Sequence, residues 1–439
     1  MTRAQKILGV FLLWSFCTTQ STWAEENQEK SNIKTLTGSI TLAQVLPVVL
    51  LQNPKLQAYS YEIRAREAQA IQAGLAKNPQ LNIQVQNVGG SGRFKSLDQS
   101  ETTIQLSQLL ELGNKRDLRQ NSAKLSKELA DWDYAVERLD VLTGVTQSYI
   151  QMLKAQQKIS LTAEGVHLAQ QFLNTVSERV KAGKVAAIET VKANVALANM
   201  QIEEQQAKLE HLKATRKLSA FWGESTPQFE TAEGDLSSLP EQKLPQQLVL
   251  ANNPRLSKWT TALAHRKAEL EVETSKAIPN LTLSGGYRRL EESNDNALVF
   301  GLTVPLQWFD RNQGAITKAR HRLSKAEEEK RAEALRMETA LYQAHSEVSF
   351  AHAKVISIKT KVLPGARKAM NAIGEGYRFG KFALLDVLDS QKTFYQIQNQ
   401  YLDALADYHN TVADVERLTG MDPSARSKFL NDGEGEIQP

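Results

Sequence analysis

The feature of this sequence that most limits its possible folds is an internal duplication with a period of about 200 residues. Asn53-Pro54 recurs as Asn253-Pro254, and Pro79, which precedes an alternating segment, recurs as Pro279. Because order and spacing are retained over the length of the chain, the sequence predicts two copies of one structural unit.

Each half has the same predicted order of elements: a helix, two strands, a long helix, a turn and a second long helix. The first repeat is placed at residues 40–223, with strands between about 80 and 112 and a hairpin tip near 183. The second is placed at 246–420, with strands between about 280 and 308 and a tip near 380. Residues 224–245 are rich in Pro, Ser, Glu and Gln and are predicted to link the copies, as an equatorial segment.

The predicted helices are unusually long. From Ala315 to Leu363 there is neither glycine nor proline, so one helix could extend about 70 Å at ~1.5 Å per residue. The partner helix, at about 381–419, has apolar residues at the spacing that antiparallel helix packing requires. These residues are Leu388, Tyr395, Leu402, Leu405, Val412 and Val415. A plain coiled coil would have the same pattern, so the helices alone do not decide the fold.

Four segments have the alternation of strands, at about 80–90, 101–112, 280–290 and 297–308. In the first, Leu81, Ile83 and Val85 alternate with polar residues. Their length suits a tilted strand that crosses a bilayer with one face toward lipid and one toward a polar lumen, although similar strands occur in soluble sandwiches.

Four strands cannot close a membrane barrel. The smallest spanning barrels need about eight strands, and an open edge in lipid leaves backbone groups unpaired at a cost of several kcal/mol each. If these strands span a membrane, the protein must therefore oligomerise, and three chains would supply twelve strands.

The first residues predict export. Residues 1–24 have the parts of a secretory signal, with Arg3 and Lys6 before an apolar stretch and Ala24 as the expected cleavage site. Cys17 could instead be a lipidation site, but Phe16 stands where a lipobox has a small residue. Residues 25–39 and 421–439 are predicted to be flexible. Beyond the signal, no apolar run approaches the ~20 residues of a membrane helix, so the protein is predicted either to be periplasmic or to enter a membrane as a β-barrel.

The charge balance gives no sign of a nucleic-acid partner. Lysine and arginine number 53 against 49 aspartates and glutamates, for a formal net charge of +4, and no basic stripe of the kind that binds phosphate backbones is present.

Four phrases, found in the same order across the two halves, resemble the TolC-type outer-membrane factors (outer membrane efflux proteins). The resemblance covers about residues 40 to 420, and the first and third phrases are similar to the heavy-metal branch, the CzcC-like subunits of cation efflux systems. The phrases are Leu109-Leu110-Glu111-Leu112-Gly113-Asn114-Lys115-Arg116 after the second strand, Ala182-Gly183-Lys184-Val185 at the first tip, Trp308-Phe309-Asp310-Arg311-Asn312-Gln313-Gly314 after the fourth strand, and Gly380-Lys381-Phe382-Ala383-Leu384-Leu385-Asp386-Val387-Leu388-Asp389 at the second tip.

The resemblance implies a mainly α fold with β: a TolC-like homotrimer in which four strands per chain complete a twelve-stranded barrel in the outer membrane of a Gram-negative bacterium. A long α-helical barrel then continues through the periplasm. It also implies three kinds of partner: outer-membrane lipid, a periplasmic adaptor (membrane fusion protein) and an inner-membrane RND-type pump.

The implied function is a passive efflux conduit for divalent heavy-metal cations of the cobalt, zinc or cadmium type. A conduit for drugs or other small molecules is the main alternative, because the tunnel need not recognise what the pump selects. A periplasmic adaptor would have one hairpin between β-rich modules, whereas this chain has two hairpins, each preceded by strands. A coiled-coil scaffold would account for the helices but not for the signal or the strands.

The two hairpin tips hold the first candidate functional residues. Glycine at a tight reversal adopts positive φ without penalty, which is a sufficient local reason for Gly183 and Gly380. The resemblance adds a role in adaptor contact, which is assigned to Gly183, Lys184, Gly380 and Lys381. Either lysine could alternatively be a solvated cation at a helix end.

The second candidates are Asp386 and Asp389, which lie three residues apart and so share one helix face. Three copies around an axis would form two acidic rings, which favour cations and could select or gate. Their spacing from Gly380 matches the pore constriction of the family. The alternatives are an exposed acidic stripe and stabilisation of the helix start. In the first repeat, Glu189 and Lys192 stand at the equivalent positions.

Tyr377 matches a family tyrosine that helps to hold the closed tip, and it is included in the predicted constriction. The first repeat has Val180 at this position, and an aromatic residue near a hairpin is often a packing residue.

The sequence contains no motif that predicts an enzyme, a cofactor or a resident metal site. GxxxxGK[ST], GxSxG and HExxH are absent. His345 and His352 are seven residues apart, which places them about 10 Å apart along a helix and too far for one ion.

Overall fold

A computed structural model of the chain describes residues 36–239 and 253–421. Parts of five predicted segments lie outside the described residues. They are the signal peptide with Cys17, residues 25–35 of the flexible N-terminus, residues 240–245 of the linker, residues 246–252 of the second repeat, and all of the C-terminal tail except Met421. Within the described residues, no helix combines the length and the apolar character needed to cross a membrane.

The first half alternates short and long elements. In chain order these are β1 (Gly38–Ile40), α1 (Leu42–Gln52), α2 (Pro54–Ala73), β2 (Gln80–Gln86), β3 (Glu101–Leu110), α3 (Lys115–Lys181), α4 (Ile188–Ser219) and β4 (Phe229–Ala232).

The second half repeats the helix, strand pair and long hairpin. Its elements are α5 (Pro254–Ser275), β5 (Leu281–Leu290), β6 (Asp295–Thr303), α6 (Gln313–Ser357), a π-helical segment (Ile358–Val362), α7 (Leu363–Arg378) and α8 (Leu384–Thr419).

The Asn-Pro pairs of the duplication start α2 and α5 and also hold the end of each long hairpin. The side-chain oxygen of Asn53 accepts hydrogen bonds from the backbone N–H groups of Lys55 and Leu56, and its amide donates to the carbonyl of Phe221 at 2.7 Å. Asn253 is arranged in the same way and donates to the carbonyl of Leu418 at 2.8 Å. Each asparagine therefore satisfies both a helix start and a helix end, and proline follows because the first helical residue needs no N–H partner.

The strands of both halves form one antiparallel sheet in the order β2-β3-β5-β6. The pairing of β3 with β5 joins the halves, from Glu101 opposite Leu290 to Leu110 opposite Leu281. The outer edges of β2 and β6 have no strand partner among the described residues. The fold therefore presents an open sheet with two free edges.

Two of these strands are shorter than the sequence pattern predicts. β2 ends at Gln86 rather than near 90, because Asn87 and Gly89 adopt positive φ angles of 61° and 68°, which leave the extended region. β6 ends at Thr303 rather than near 308, because Pro305 cannot donate to a ladder and restricts the residue before it.

The sheet has one mainly apolar and one mainly polar face. Opposed residues in antiparallel strands share a face, so the register assigns each side chain. One face contains the exposed residues Leu81, Ile83, Val85, Ile104, Leu106, Leu283, Tyr287, Leu298, Phe300 and Leu302. The other contains Gln80, Asn82, Gln84, Gln86, Thr103, Gln105, Ser107, Ser284 and Arg288. This is the reverse of a soluble sheet, which buries its apolar face.

The long helices form two antiparallel hairpins beneath the sheet. α3 has 67 residues and thus extends about 100 Å at ~1.5 Å per residue. In the second hairpin the helical arm continues past Pro364 to Arg378. The π-helical segment makes this possible, because Pro364 then stands in the first turn of α7, where its missing N–H costs little.

The main core lies where the helices pass the small parallel sheet of β1 and β4. The hydroxyl of Tyr149 on α3 lies 2.8 Å from the carbonyl oxygen of Ile40 and 2.6 Å from that of Glu233. Leu236 is fully buried, and the ring of His409 on α8 contacts its carbonyl at 2.9 Å. Residues 224–239 of the predicted linker therefore pack against the helices.

Candidate functional site at the hairpin tips

Both hairpins end in the same local structure. The N–H of Lys184 donates to the carbonyl of Arg179 and that of Lys381 to the carbonyl of Gly376, at 2.9 and 2.8 Å. Gly183 and Gly380 have φ angles of 69° and 75°. This is the Schellman arrangement, which needs a left-handed residue and closes the last turn of a helix. The glycines thus have a complete local explanation, and Lys184 and Lys381 are exposed beside them.

A polar contact joins the two tips. The hydroxyl of Tyr377 on α7 donates to the carboxylate of Glu189 on α4 at 2.9 Å. Arg179 on α3 donates to the backbone carbonyl of Tyr377, and its guanidinium stands 4.5 Å from the centre of the Tyr377 ring. Two helices of the first hairpin, α3 and α4, therefore meet α7 of the second hairpin at one tyrosine. We name this arrangement of Arg179, Glu189 and Tyr377 the tip contact.

The tip contact is built on a small apolar cluster. Tyr377 is only 2% exposed and packs with Val176, Ala193, Leu384 and Val387. The ring of Phe172 lies 5.6 Å from that of Tyr377. Water is thereby excluded from the ring, so the hydroxyl depends on Glu189 as its acceptor.

The electrostatic environment keeps Tyr377 protonated. Burial of the phenol and the hydrogen bond to Glu189 raise its pKa from 10.0 to about 12, and the negative charge of Glu189 acts in the same direction. The hydroxyl is consequently a donor throughout the physiological range.

Asp386 and Asp389 lie on the exposed side of α8, close to the second tip. The carboxylate of Asp386 accepts a hydrogen bond from the N–H of Ala383 at 2.8 Å, so it caps the start of α8. The structure separates these two carboxylates, which are exposed, from the ring of Tyr377, which is buried. Glu189, which has the position of Asp386 in the first repeat, instead accepts a hydrogen bond from the hydroxyl of Tyr377.

Arg179 and the exposed apolar residues of the second tip were not predicted from the sequence. Arg179 near a helix end has the pattern of a solvated cation, and only the tertiary structure places it against Tyr377. Phe379, Phe382 and Leu385 are all exposed, and Phe382 also packs so closely on Gly376 that a Cβ added to the glycine would lie 2.4 Å from its ring. The first tip has the smaller Ala182 and Val185 at the positions of the two phenylalanines.

The described residues contain no group of three or more His, Cys, Asp or Glu side chains that could hold a metal ion. His352 packs against Tyr408 with ring centres 5.8 Å apart.

Comparison with known proteins identifies relatives over both halves. A family model described as Outer membrane efflux protein matches residues 45–224 and 245–421. The chain is 34% identical to the cobalt-zinc-cadmium resistance protein CzcC of Cupriavidus metallidurans over 385 residues, which are 87% of this chain and 90% of that protein. It is 27% identical to the nickel-cobalt-cadmium resistance protein NccC of Alcaligenes xylosoxydans over 300 residues, 66% of this chain and 68% of the relative.

A solved structure of similar fold is CusC, whose crystal structures concern folding and transmembrane channel formation. Its TM-score is 0.75 at 15% identity, and the match covers 92% of this chain and 96% of CusC. At this identity the likeness concerns the fold alone.

The tip contact predicts an alkaline transition that requires Tyr377. Because the pKa is raised in the folded tip, the contribution of the contact is complete below pH 10.0 and is lost as the pH rises toward about 12. Spin labels at Lys184→Cys and Lys381→Cys should report a growing distance between the tips over this interval. In Tyr377→Phe the distance distribution should be broad at neutral pH and unchanged over the same interval.

The exposed Tyr61 on α2 provides the matched control. Tyr61→Phe should keep the wild-type transition. A transition that persists in Tyr377→Phe, or that disappears in Tyr61→Phe, would contradict the assignment.

Proposed function

The chain belongs to the outer membrane efflux protein family, and we propose that three copies form a passive conduit for divalent heavy-metal cations, leading from the periplasm to the cell exterior. Each copy contributes four strands to a twelve-stranded barrel in the outer membrane and two helical hairpins to a periplasmic tunnel. The protein supplies the path, and an inner-membrane pump supplies the energy.

The observation that carries this proposal is the open sheet with an exposed apolar face. Its free edges on β2 and β6 would leave N–H and C=O groups unpaired in lipid, so the sheet needs further strands from other copies. Two copies would give eight strands, and the interior of such a barrel is filled by its own side chains. The glutamines of the polar face would occupy that space, whereas twelve strands leave a lumen.

Exposed apolar positions on the helices support the same assembly. On α4, Ile188, Val195, Ile202 and Leu209 are exposed at steps of seven residues. On α6, Leu335, Tyr342 and Phe350 are exposed as well. Heptad-spaced apolar residues are the contact positions of helices that pack side by side. Neighbouring copies would cover these positions and close the tunnel wall.

We assign the periplasmic end of the tunnel to the hairpin tips. Gly183, Lys184, Gly380 and Lys381 would contact a periplasmic adaptor, and the exposed Phe379 and Leu385 would add apolar area to that contact. The tip contact of Arg179, Glu189 and Tyr377 would hold the closed state. Binding of the adaptor would favour the open state by separating α4 from α7, which breaks the hydrogen bond between Tyr377 and Glu189.

The acidic pair of α8 would form the constriction. Three copies of Asp386 and Asp389 bring six carboxylates to one narrow place, where their negative potential attracts cations and excludes anions. Carboxylates in a ring, without a fixed ligand cage, can pass a divalent ion on without holding it. The heavy-metal resistance proteins among the relatives support metal cations as the cargo rather than organic molecules.

Neutralising the acidic pair should change ion selectivity in planar bilayers. Asp386→Asn with Asp389→Asn removes the charge, while the amide oxygen at 386 can still accept from Ala383, so the helix cap is kept. The cation-to-anion permeability ratio, measured from reversal potentials, should fall toward the ratio of the mobilities of the cation and the anion in water. The corresponding alanine variant should in addition raise the single-channel conductance.

Asp407→Asn is the control for this measurement, because Asp407 is an exposed carboxylate of the same helix about 30 Å away at ~1.5 Å per residue. It should leave the permeability ratio unchanged. If the double variant also leaves selectivity and conductance unchanged, Asp386 and Asp389 are not part of the constriction.

The cargo is tested by the growth of a strain that lacks this protein. The strain should lose tolerance to zinc, cobalt or cadmium ions, and the wild-type gene should restore it. Tolerance to dyes and antibiotics should not change. Sensitivity confined to organic compounds would reject the metal cargo and support a small-molecule conduit, while leaving the channel architecture intact.

A further inference from the structure

The middle of the second hairpin carries basic side chains and no acidic ones. Residues 355–374, which run from the end of α6 into α7, and residues 390–402 of α8 contain no aspartate or glutamate. They contain five basic residues, all of them exposed. We name these five the basic zone; they are Lys359, Lys361, Arg367, Lys368 and Lys392. Because the whole chain has a formal net charge of only +4, the zone is a strong local excess of positive charge.

The fold brings these residues together although they are scattered in the sequence. The two stretches lie side by side, with the guanidinium of Arg367 5.6 Å from the centre of the Phe394 ring. Lys368 and the buried Tyr377 are nine residues apart, which is two and a half turns at ~3.6 residues per turn, so Lys368 points away from the buried side of α7. Lys361 stands seven residues before Lys368 and near the same face.

The basic zone is unpaired within the chain. None of its members forms an ion pair with a described residue, whereas lysines above and beside the zone do. These pairs are Lys154 with Asp403 at 2.6 Å, Lys158 with Glu210 at 2.8 Å and Lys354 with Asp407 at 3.4 Å. Gathered cations without counter-charges repel one another and attract a polyanion.

The first hairpin has no such zone. Alignment of Gly183 with Gly380 makes residues 158–177 and 193–205 equivalent to the two stretches. They contain one lysine, Lys158, which is ion-paired, and three carboxylates. The carboxylates are Glu164, Glu203 and Glu204. The positive excess is therefore not a requirement of hairpin packing, since the first repeat folds the same way without it.

The composition of the basic zone favours a polyanion over a folded protein as its partner. Four of the five cations are lysines, and lysine is depleted at protein interfaces, which are built around apolar and aromatic side chains. Within the two stretches only Ile356 and Val362 are large, apolar and exposed, at 38% and 40%. A surface of this kind binds mainly through charge.

The position of the zone excludes membrane lipid. Lys359 lies about 70 Å along the helix from Gln313, the first residue of α6, at ~1.5 Å per residue. In the proposed function, on which this inference rests, that level is in the periplasm. Lysines on the inner wall of the tunnel would repel a cation cargo, so the same function places them on its outer surface.

We propose that the basic zone binds the peptidoglycan of the cell wall, an anionic polymer whose peptides carry carboxylates. A tunnel that extends from the outer membrane into the periplasm meets this polymer from outside. Carboxylates of several peptides would contact Lys359, Lys361 and Lys368 on the exposed face of the hairpin. The contact holds the tunnel in the cell wall and steadies the tips below it.

The test is co-sedimentation of the purified protein, in detergent, with isolated peptidoglycan sacculi. Lys359→Gln, Lys361→Gln and Lys368→Gln are combined in one variant, because glutamine removes the charge and keeps helix propensity. Arg367 is left in place, since its guanidinium packs on Phe394. The wild-type protein should sediment with the sacculi. The affinity of the variant should be about tenfold lower or less, because each lysine near an anionic surface strengthens binding severalfold.

A matched variant removes the same number of charges nearer to the sheet. Lys318→Gln, Lys325→Gln and Lys330→Gln change three exposed lysines of α6 and should leave the affinity for sacculi unchanged. Sacculi whose carboxylates have been amidated should not bind the wild-type protein, and binding to untreated sacculi should weaken as salt is added. Equal losses in the two triple variants would mean that total charge, and not the basic zone, is responsible, and would overturn the proposal.

Sizing, channel conductance and co-purification with the adaptor are measured on the same variants. If the wild-type protein is trimeric and conducts but does not bind sacculi, or if the zone variant binds them equally well, the inference fails and the conduit stands. A zone variant that loses only its trimeric state assigns the lysines to a neighbouring copy, and one that loses only the adaptor assigns them to that protein; both reject peptidoglycan. If the wild-type protein neither assembles nor conducts, the proposed function fails and the inference fails with it.

Discussion

The assembly of this protein depends on the two edges of its sheet. The backbone N–H and C=O groups at these edges have no strand partner within the described part of the chain. In water an unpaired edge is hydrated, but in hydrocarbon each free N–H or C=O costs several kcal/mol. The chain has two such edges, on β2 and β6, next to a face of exposed leucine, isoleucine and phenylalanine side chains. Association of several copies would therefore pair the backbone groups at the edges, and lipid could then cover the apolar face.

The helical part follows a different principle, because in the periplasm the hairpins are surrounded by water. Their stability comes from apolar packing along α3 and α8, and it weakens toward the tips, where the buried cluster around Tyr377 is small. At that end the hydrogen bonds of the tip contact also hold the two hairpins together. The Nε atom of Arg179 is buried without a hydrogen-bond partner among the described residues, so the tip contact is incompletely satisfied.

The sequence allowed the family, the fold class and the outer-membrane location to be predicted, and the comparisons and the structure confirm these. The reason is physical: duplicated Asn-Pro caps, strand alternation and helix length are local patterns that are visible without tertiary structure. What could not be predicted depends on contacts between distant segments. Arg179 and Tyr377 are separated by 198 positions, and only their spatial contact gives Arg179 a role beyond a helix-end charge.

The ends of some strands were predicted less well than the strands themselves. The π-helical segment before Pro364 was not predicted either, because no simple sequence pattern indicates it. The early end of β6 has a local cause in Pro305, which the alternation Leu302, Val304 and Leu306 conceals. Seven predicted roles stay predictions, because they concern partners and copies that a single chain does not contain. They are the constriction roles of Asp386, Asp389 and Tyr377 and the adaptor-contact roles of Gly183, Lys184, Gly380 and Lys381.

The most direct measurement of the central claim is the number of chains per particle in detergent. Light scattering corrected for bound detergent, together with averaged electron-microscopy images viewed along the long axis, gives both the stoichiometry and the symmetry. We expect three chains related by a threefold axis around one central pore. A monodisperse monomer that retains the four-stranded sheet, or a dimer without a pore, would contradict it.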